Sequence, residues 1–185
     1  DASDEGYTAL MEAAQSNPAM VQLLINAGAD VNLVDYYGST ALMSAVYSSN
    51  VDAAQMLLNA GAQVNLADDY GETALLMACS SNNVAIALLL ISAGANVNQV
   101  NSDGFSAVMM VTLHGEDDVI IRALLTAGAQ VNLANNEGNT ALIKAAIYEN
   151  IAALRLLIAA GAIVNQRNNK GTTPLMIAAQ FGDNI

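Results

Sequence analysis

The chain has 185 residues, 54% of them apolar and only 4% aromatic, and carries a net charge of −12. No apolar run is long enough to cross a bilayer, the surface is too negative to suit a phosphate backbone, and one cysteine (Cys79) with one histidine (His114) makes neither a disulfide nor a zinc site. The opening Asp1-Ala2-Ser3-Asp4-Glu5 shows neither the basic nor the apolar region of a signal peptide, and the lone cysteine fits a reducing compartment, so the expected location is cytoplasmic.

In chain order, residues 3–34 contain Gly6, Thr8-Ala9-Leu10, the apolar triplet Leu23-Leu24-Ile25 and Ala27-Gly28-Ala29-Asp30-Val31-Asn32. Residues 35–67 repeat this with Gly38, Thr40-Ala41-Leu42, Met56-Leu57-Leu58 and Gly61. Residues 68–100 follow with Gly71, Thr73-Ala74-Leu75, Leu89-Leu90-Ile91 and Gly94. Residues 101–134 have Gly104, Ser106-Ala107-Val108, Ala123-Leu124-Leu125 and Gly128. Residues 135–167 have Gly138, Thr140-Ala141-Leu142, Leu156-Leu157-Ile158 and Gly161. Residues 168–185 begin a sixth copy with Gly171 and Thr173-Pro174-Leu175, and read as a truncated unit. The first set of glycines is spaced 32, 33, 33, 34 and 33 residues apart, and the second 33, 33, 34 and 33. Two markers with one period identify a repeat array.

Each unit predicts a helix, a turn, a second helix and a loop. The Thr hydroxyl caps the first helix, and Pro174 sits where a first helical position tolerates it. The second helix ends at the Ala-Gly-Ala glycine, a left-handed residue. Asp35-Tyr36-Tyr37-Gly38 has turn chemistry. Residues 3–34 are one residue short near Ser16-Asn17-Pro18, and residues 101–134 carry one extra near His114-Gly115-Glu116-Asp117-Asp118. Both changes fall between the paired helices, where a loop absorbs them.

This pattern resembles the ankyrin repeat over nearly the whole chain. The resemblance implies an all-α, ankyrin-type helical solenoid of about six helix-turn-helix repeats with β-hairpin-like loops, forming a single domain, 1–185. It departs at the family's frequent Thr-Pro-Leu-His segment, where Met11, Met43, Leu76, Met109, Ile143 and Met176 occupy the His position. The resemblance also implies a protein-interaction scaffold that holds its partner across the hairpin tips and first helices, on the concave side.

The residues supply an independent guide to that surface. With the turn glycine set as position four of each unit, Tyr36 is at two, Tyr37 and Tyr70 at three, Tyr7 and Phe105 at five, Tyr47 at thirteen, and Tyr148 and Phe181 at fourteen. All eight aromatics thus fall on tip or first-helix-end positions and none on the interhelical core. They are interface anchors or rings that pack on their neighbours along the ladder. Ser39 shares position five. Asp4, Glu5, Asp35, Asp68, Asp69, Glu72 and Asp103 alternate with the rings, with Asp35 and Asp68 the weaker candidates because turn hydrogen bonds are an alternative use for them.

The first 121 residues contain no Lys or Arg; Arg122, Lys144, Arg155, Arg167 and Lys170 follow them. Rings beside carboxylates suit a basic protein or peptide, while general solubility is the plainer use of the charge. The partner-binding residues expected are Tyr7, Tyr36, Tyr37, Ser39, Tyr47, Asp69, Tyr70, Glu72, Phe105 and Tyr148.

No catalytic constellation, cofactor motif or metal loop is apparent, so a non-enzymatic monomer is expected, with no nucleic acid and no membrane partner. Glu116-Asp117-Asp118 reads as a solvated loop rather than a calcium site. Cys79 reads as a buried helical residue, and the eight methionines as core filler. The other function left open is a structural spacer or targeting array whose effector domain lies elsewhere.

Overall fold

The computed structural model of the protein describes residues 6–114 and 118–182. The chain packs as two compact units, 1–96 and 97–185. The first unit holds α1 (Ala9–Ser16), α2 (Pro18–Asn26), α3 (Ala41–Tyr47), α4 (Val51–Asn59), α5 (Ala74–Ser80) and α6 (Val84–Ser92). The second holds α7 (Ala107–Val111), α8 (Val119–Thr126), α9 (Ala141–Ile147), α10 (Ile151–Ala159) and α11 (Pro174–Gly182). The architecture is the all-α repeat fold that the period predicts.

Apart from α7 and α8, the helices start at a side-chain cap. Thr8, Thr40, Thr73, Thr140 and Thr173 each accept a hydrogen bond from the N–H three residues on, at 3.2–3.3 Å. Ser106 makes no such bond. The second helices are capped by Asn17, Asn50, Asn83 and Asn150, at 2.9–3.1 Å. These asparagines lie outside the two sequence markers.

The second helix ends as its sequence predicts. Gly28 has φ +84°, and the N–H of Ala29 donates to Leu24 O while that of Gly28 donates to Ile25 O. This pair of bonds is a Schellman motif, and it recurs at Gly61, Gly94, Gly128 and Gly161. A related turn links the two helices in three repeats, but with a non-glycine in the left-handed place: Ser49, Asn82 and Glu149 have φ of 56°, 52° and 53°.

Within the first unit α1, α3 and α5 stack in one layer, and α2, α4 and α6 in the other. Within the second, α9 packs on α7, α10 and α11. The core of the first unit is built from Leu42, Leu57, Leu75, Leu76, Ile86 and Leu90, and that of the second from Ile120, Ile121, Leu124, Ile143 and Leu157. The Asn of Val-Asn ties successive loops together. Asn32 Nδ2 donates to Gly61 O at 3.3 Å, and its Oδ1 accepts from the N–H of Gln63 at 2.7 Å. Asn98 and Asn132 repeat this clamp in the second unit.

Three details go beyond the repeat pattern. Met11, Met43, Met109 and Met110 are core residues, but Met20 and Met176 are exposed and Met77 lines a groove, so the methionines are not uniformly core filler. Met20 and Met176 lie on the first and last repeats, where no described neighbour covers that face. Met11 also has a polar role, since its Sδ accepts from the N–H of Thr8. Finally, the short repeat closes with Asn17 alone between α1 and α2, and it serves as both C-cap and N-cap.

The last helix presents a face that is buried in other repeats. Leu42, Leu75, Val108 and Leu142 are 1–2% exposed at one repeat position, whereas Leu175 is 71% exposed there. Ile158, Val164, Pro174 and Leu175 line the resulting apolar groove with Leu142 and Leu154.

Candidate functional site

The hairpin tips are fixed by one side-chain oxygen per repeat. Asp35 Oδ1 accepts from the N–H groups of Tyr37 and Ser39 at 2.9 and 2.8 Å. Asp68 holds Tyr70 and Glu72 in the same way, at 2.9 Å each. Asn101, Asn135 and Asn168 make the equivalent pair of bonds. An amide thus does the turn's work as well as a carboxylate, so the charge of Asp35 and Asp68 is not needed for the turn. Neighbouring tips also bond directly, with the N–H of Asp69 donating to Tyr37 O at 2.9 Å.

Rigid tips display their side chains outward. In the first unit Tyr36 is 72%, Tyr37 55%, Tyr47 79% and Tyr70 65% exposed, and Asp69 is exposed beside them. No described tyrosine is buried. Position five is less open than the sequence implies: Tyr7, Ser39, Glu72 and Phe105 are half-buried. The physical reason is that this residue leads into the capped helix and faces the neighbouring repeat. Tyr36 leans on its neighbour's tip, because a Cβ built on Gly6 would lie 3.4 Å from Tyr36 Cδ1.

The expected residues divide into two groups. Tyr7, Ser39 and Tyr47 meet around one cavity of about 190 Å³, lined also by Gln15, Asp35, Met43, Ser44 and Met77. The amide of Gln15 donates to the Tyr7 hydroxyl. Tyr36, Tyr37, Asp69, Tyr70 and Glu72 do not line this cavity; they form the tip edge. The repeat pattern did not point to Gln15, Ser44 and Met77, and for Ser44 and Met77 the available signal was the variation at position ten. That position reads Glu12, Ser44, Met77, Met110, Lys144 and Ile177 down the chain, unlike the uniformly apolar position eight.

In the second unit Phe105 is already engaged: Lys144 Nζ lies 4.6 Å from the centroid of its ring, within cation–π range. Tyr148, at the end of α9, is half-exposed. His114 has a structural part in its backbone, whose carbonyl accepts from Asn150 Nδ2 at 2.7 Å. Asp118 pairs with Arg122 at 2.6 Å, and that hydrogen-bonded guanidinium holds its carboxyl below the usual range. Asp4, Glu5, Glu116 and Asp117 lie outside the described residues, as does the side chain of Phe181.

Cys79 is fully buried, and burial pushes its thiol up to about 12. It is a packing residue and remains protonated at neutral pH. Among the described residues no group of three His, Cys, Asp or Glu side chains is placed to hold a metal ion, and no helix is long and apolar enough to cross a membrane.

Comparison with known families agrees with this geometry. The family described as "Ankyrin repeats (3 copies)" matches residues 1–68 and 108–185, and that described as "Ankyrin repeats (many copies)" matches residues 47–91. No curated protein matches the chain.

Proposed function

The chain belongs to the ankyrin repeat family, whose repeats are generally protein–protein interaction modules, and on that premise we propose that residues 1–96 bind a basic protein or peptide. The observation that carries the reading is the set of exposed tyrosines at the tip edge and at the end of α3 in this unit. Four tyrosines, Tyr36, Tyr37, Tyr47 and Tyr70, are each more than half exposed, in a unit that contains ten acids and no Lys or Arg. Large rings left in water are costly unless a partner covers them, and tyrosines are enriched in interface hot spots. The uniform negative charge steers a basic partner toward the surface and disfavours an acidic one. The tips are held by their own turn bonds, so little ordering cost remains at binding.

The test is a selection of binders to the folded chain from a random peptide library. The expected outcome is enrichment of Arg and Lys, with affinity that falls as salt rises. The variant Tyr36→Ala/Tyr37→Ala/Tyr70→Ala is expected to weaken these binders by roughly tenfold or more, with an unchanged melting curve. Binders without basic enrichment, or equal binding to the variant, would sink the reading.

A further inference from the structure

The two units use one pair of repeat positions differently. In residues 97–185, Phe105 follows the turn glycine of one repeat, and Lys144 stands six residues after the turn glycine of the next. The lysine ammonium sits over the phenyl ring at 4.6 Å. In residues 1–96 the same two positions are Tyr7, which follows Gly6, and Ser44, which stands six residues after Gly38. Ser44 is too short to carry a charge to a ring. The two residues instead line the cavity of about 190 Å³.

The rest of that lining suits the group Ser44 does not supply. Met43 and Met77 provide polarisable, apolar contact for an aliphatic stem. Tyr47, on the rim, is 79% exposed. Asp35 is in the lining as well, with Oδ1 given to the turn and no described bond to Oδ2. At about 30 Å³ per water, the space fits a side-chain head group rather than a folded segment.

We infer that this cavity is a subsite for one side-chain cation of the partner, Arg or Lys, seated where Lys144 sits over Phe105 in the other unit. The inference rests on the proposed function above and specifies where one charge of the basic partner goes. The occupant follows from complementarity. An aromatic and carboxylate lining in a unit without a single base attracts a cation, and the protein fills the equivalent place with its own lysine.

The experiment is a binding titration with a labelled peptide of alternating glycine and arginine, and its citrulline counterpart as the neutral control. Ser44→Lys supplies the cation from within, as Lys144 does, and is expected to raise the arginine peptide's Kd roughly fivefold. Ser44→Ala, which leaves the cavity open and uncharged, is expected to leave it within about twofold. Asp35→Asn keeps the turn, as Asn101, Asn135 and Asn168 do at that position, and is expected to weaken the arginine peptide alone. Circular dichroism checks that each variant folds.

Equal effects of Ser44→Lys and Ser44→Ala, no effect of Ser44→Lys, or no preference for arginine over citrulline would each overturn the subsite. The triple tip variant separates the two claims. If it loses binding while Ser44→Lys does not, the subsite fails and the basic-partner reading stands. If neither variant changes binding, both fail.

Discussion

The N–H of Asp69 donates to the carbonyl of Tyr37 at 2.9 Å, binding two hairpin tips together across a repeat boundary. Asn136 to Asp103 and Asn169 to Glu137 repeat the contact, each at 3.0 Å. Tips this close leave no room for a side chain between them, which is why each contact has a glycine beside it. A Cβ on Gly138 would stand 2.5 Å from Asn169 Oδ1 and 2.7 Å from Asn169 N, at φ +77°.

Gly138→Ala is therefore expected to cost more than Gly61→Ala. Both force a left-handed alanine, at about 1–2 kcal/mol, but a Cβ on Gly61 meets nothing within 4 Å. The tip variant adds a backbone clash to the conformational cost. Thermal melts of the two variants check the order; equal losses would mean that the tips separate freely.

The turns between paired helices offer a stabilising change. Glu149 holds φ 53° and is exposed, and a non-glycine there carries about 1 kcal/mol of steric cost. Glu149→Gly is expected to raise the melting temperature by a few degrees, offset in part by glycine's greater freedom when unfolded. Asn82→Gly is expected to gain less, since asparagine tolerates this conformation better. A drop in melting temperature for Glu149→Gly would show that unfolded-state entropy outweighs the strain.

Leu142 and Leu175 share a repeat position but not an environment, being 2% and 71% exposed. Leu142→Ala is expected to cost about 2–5 kcal/mol through lost burial and a residual cavity. Leu175→Ala is expected to stay within about 0.5 kcal/mol. Chemical denaturation of both variants decides the matter, and a large loss at Leu175 would mean that its face is covered in solution.

Cys79 gives a pH-dependent signature. Its thiol is raised from 9.0 to about 12 by burial, so above pH 9 the unfolded chain loses a proton that the folded chain keeps. The associated stability is full below pH 9 and is lost as pH rises toward 12, at about 1.4 kcal/mol per pH unit. Between these limits wild type is expected to lose stability more steeply than Cys79→Ala. Parallel pH–stability curves would show that the thiol ionises in place. At neutral pH a thiol reagent is expected to label Cys79 only on unfolding.

Features that are local or periodic could be read from the chain alone. The positive φ of Gly28 and Gly38, the Thr caps and the Schellman ends depend on a few neighbouring residues, and one period propagates them along the chain. The occupation of Asp35 by turn bonds was legible for the same reason, because donor and acceptor lie within four residues. What the repeats do to one another emerged with their packing. Tyr7, Ser44 and Tyr47 are brought to one cavity, Lys144 reaches Phe105, and Leu175 is left open where Leu142 is sealed. These outcomes depend on which side chain the adjacent repeat presents at a given height in the stack. Leu142 and Leu175, identical residues at one repeat position, acquire different environments because their neighbours differ.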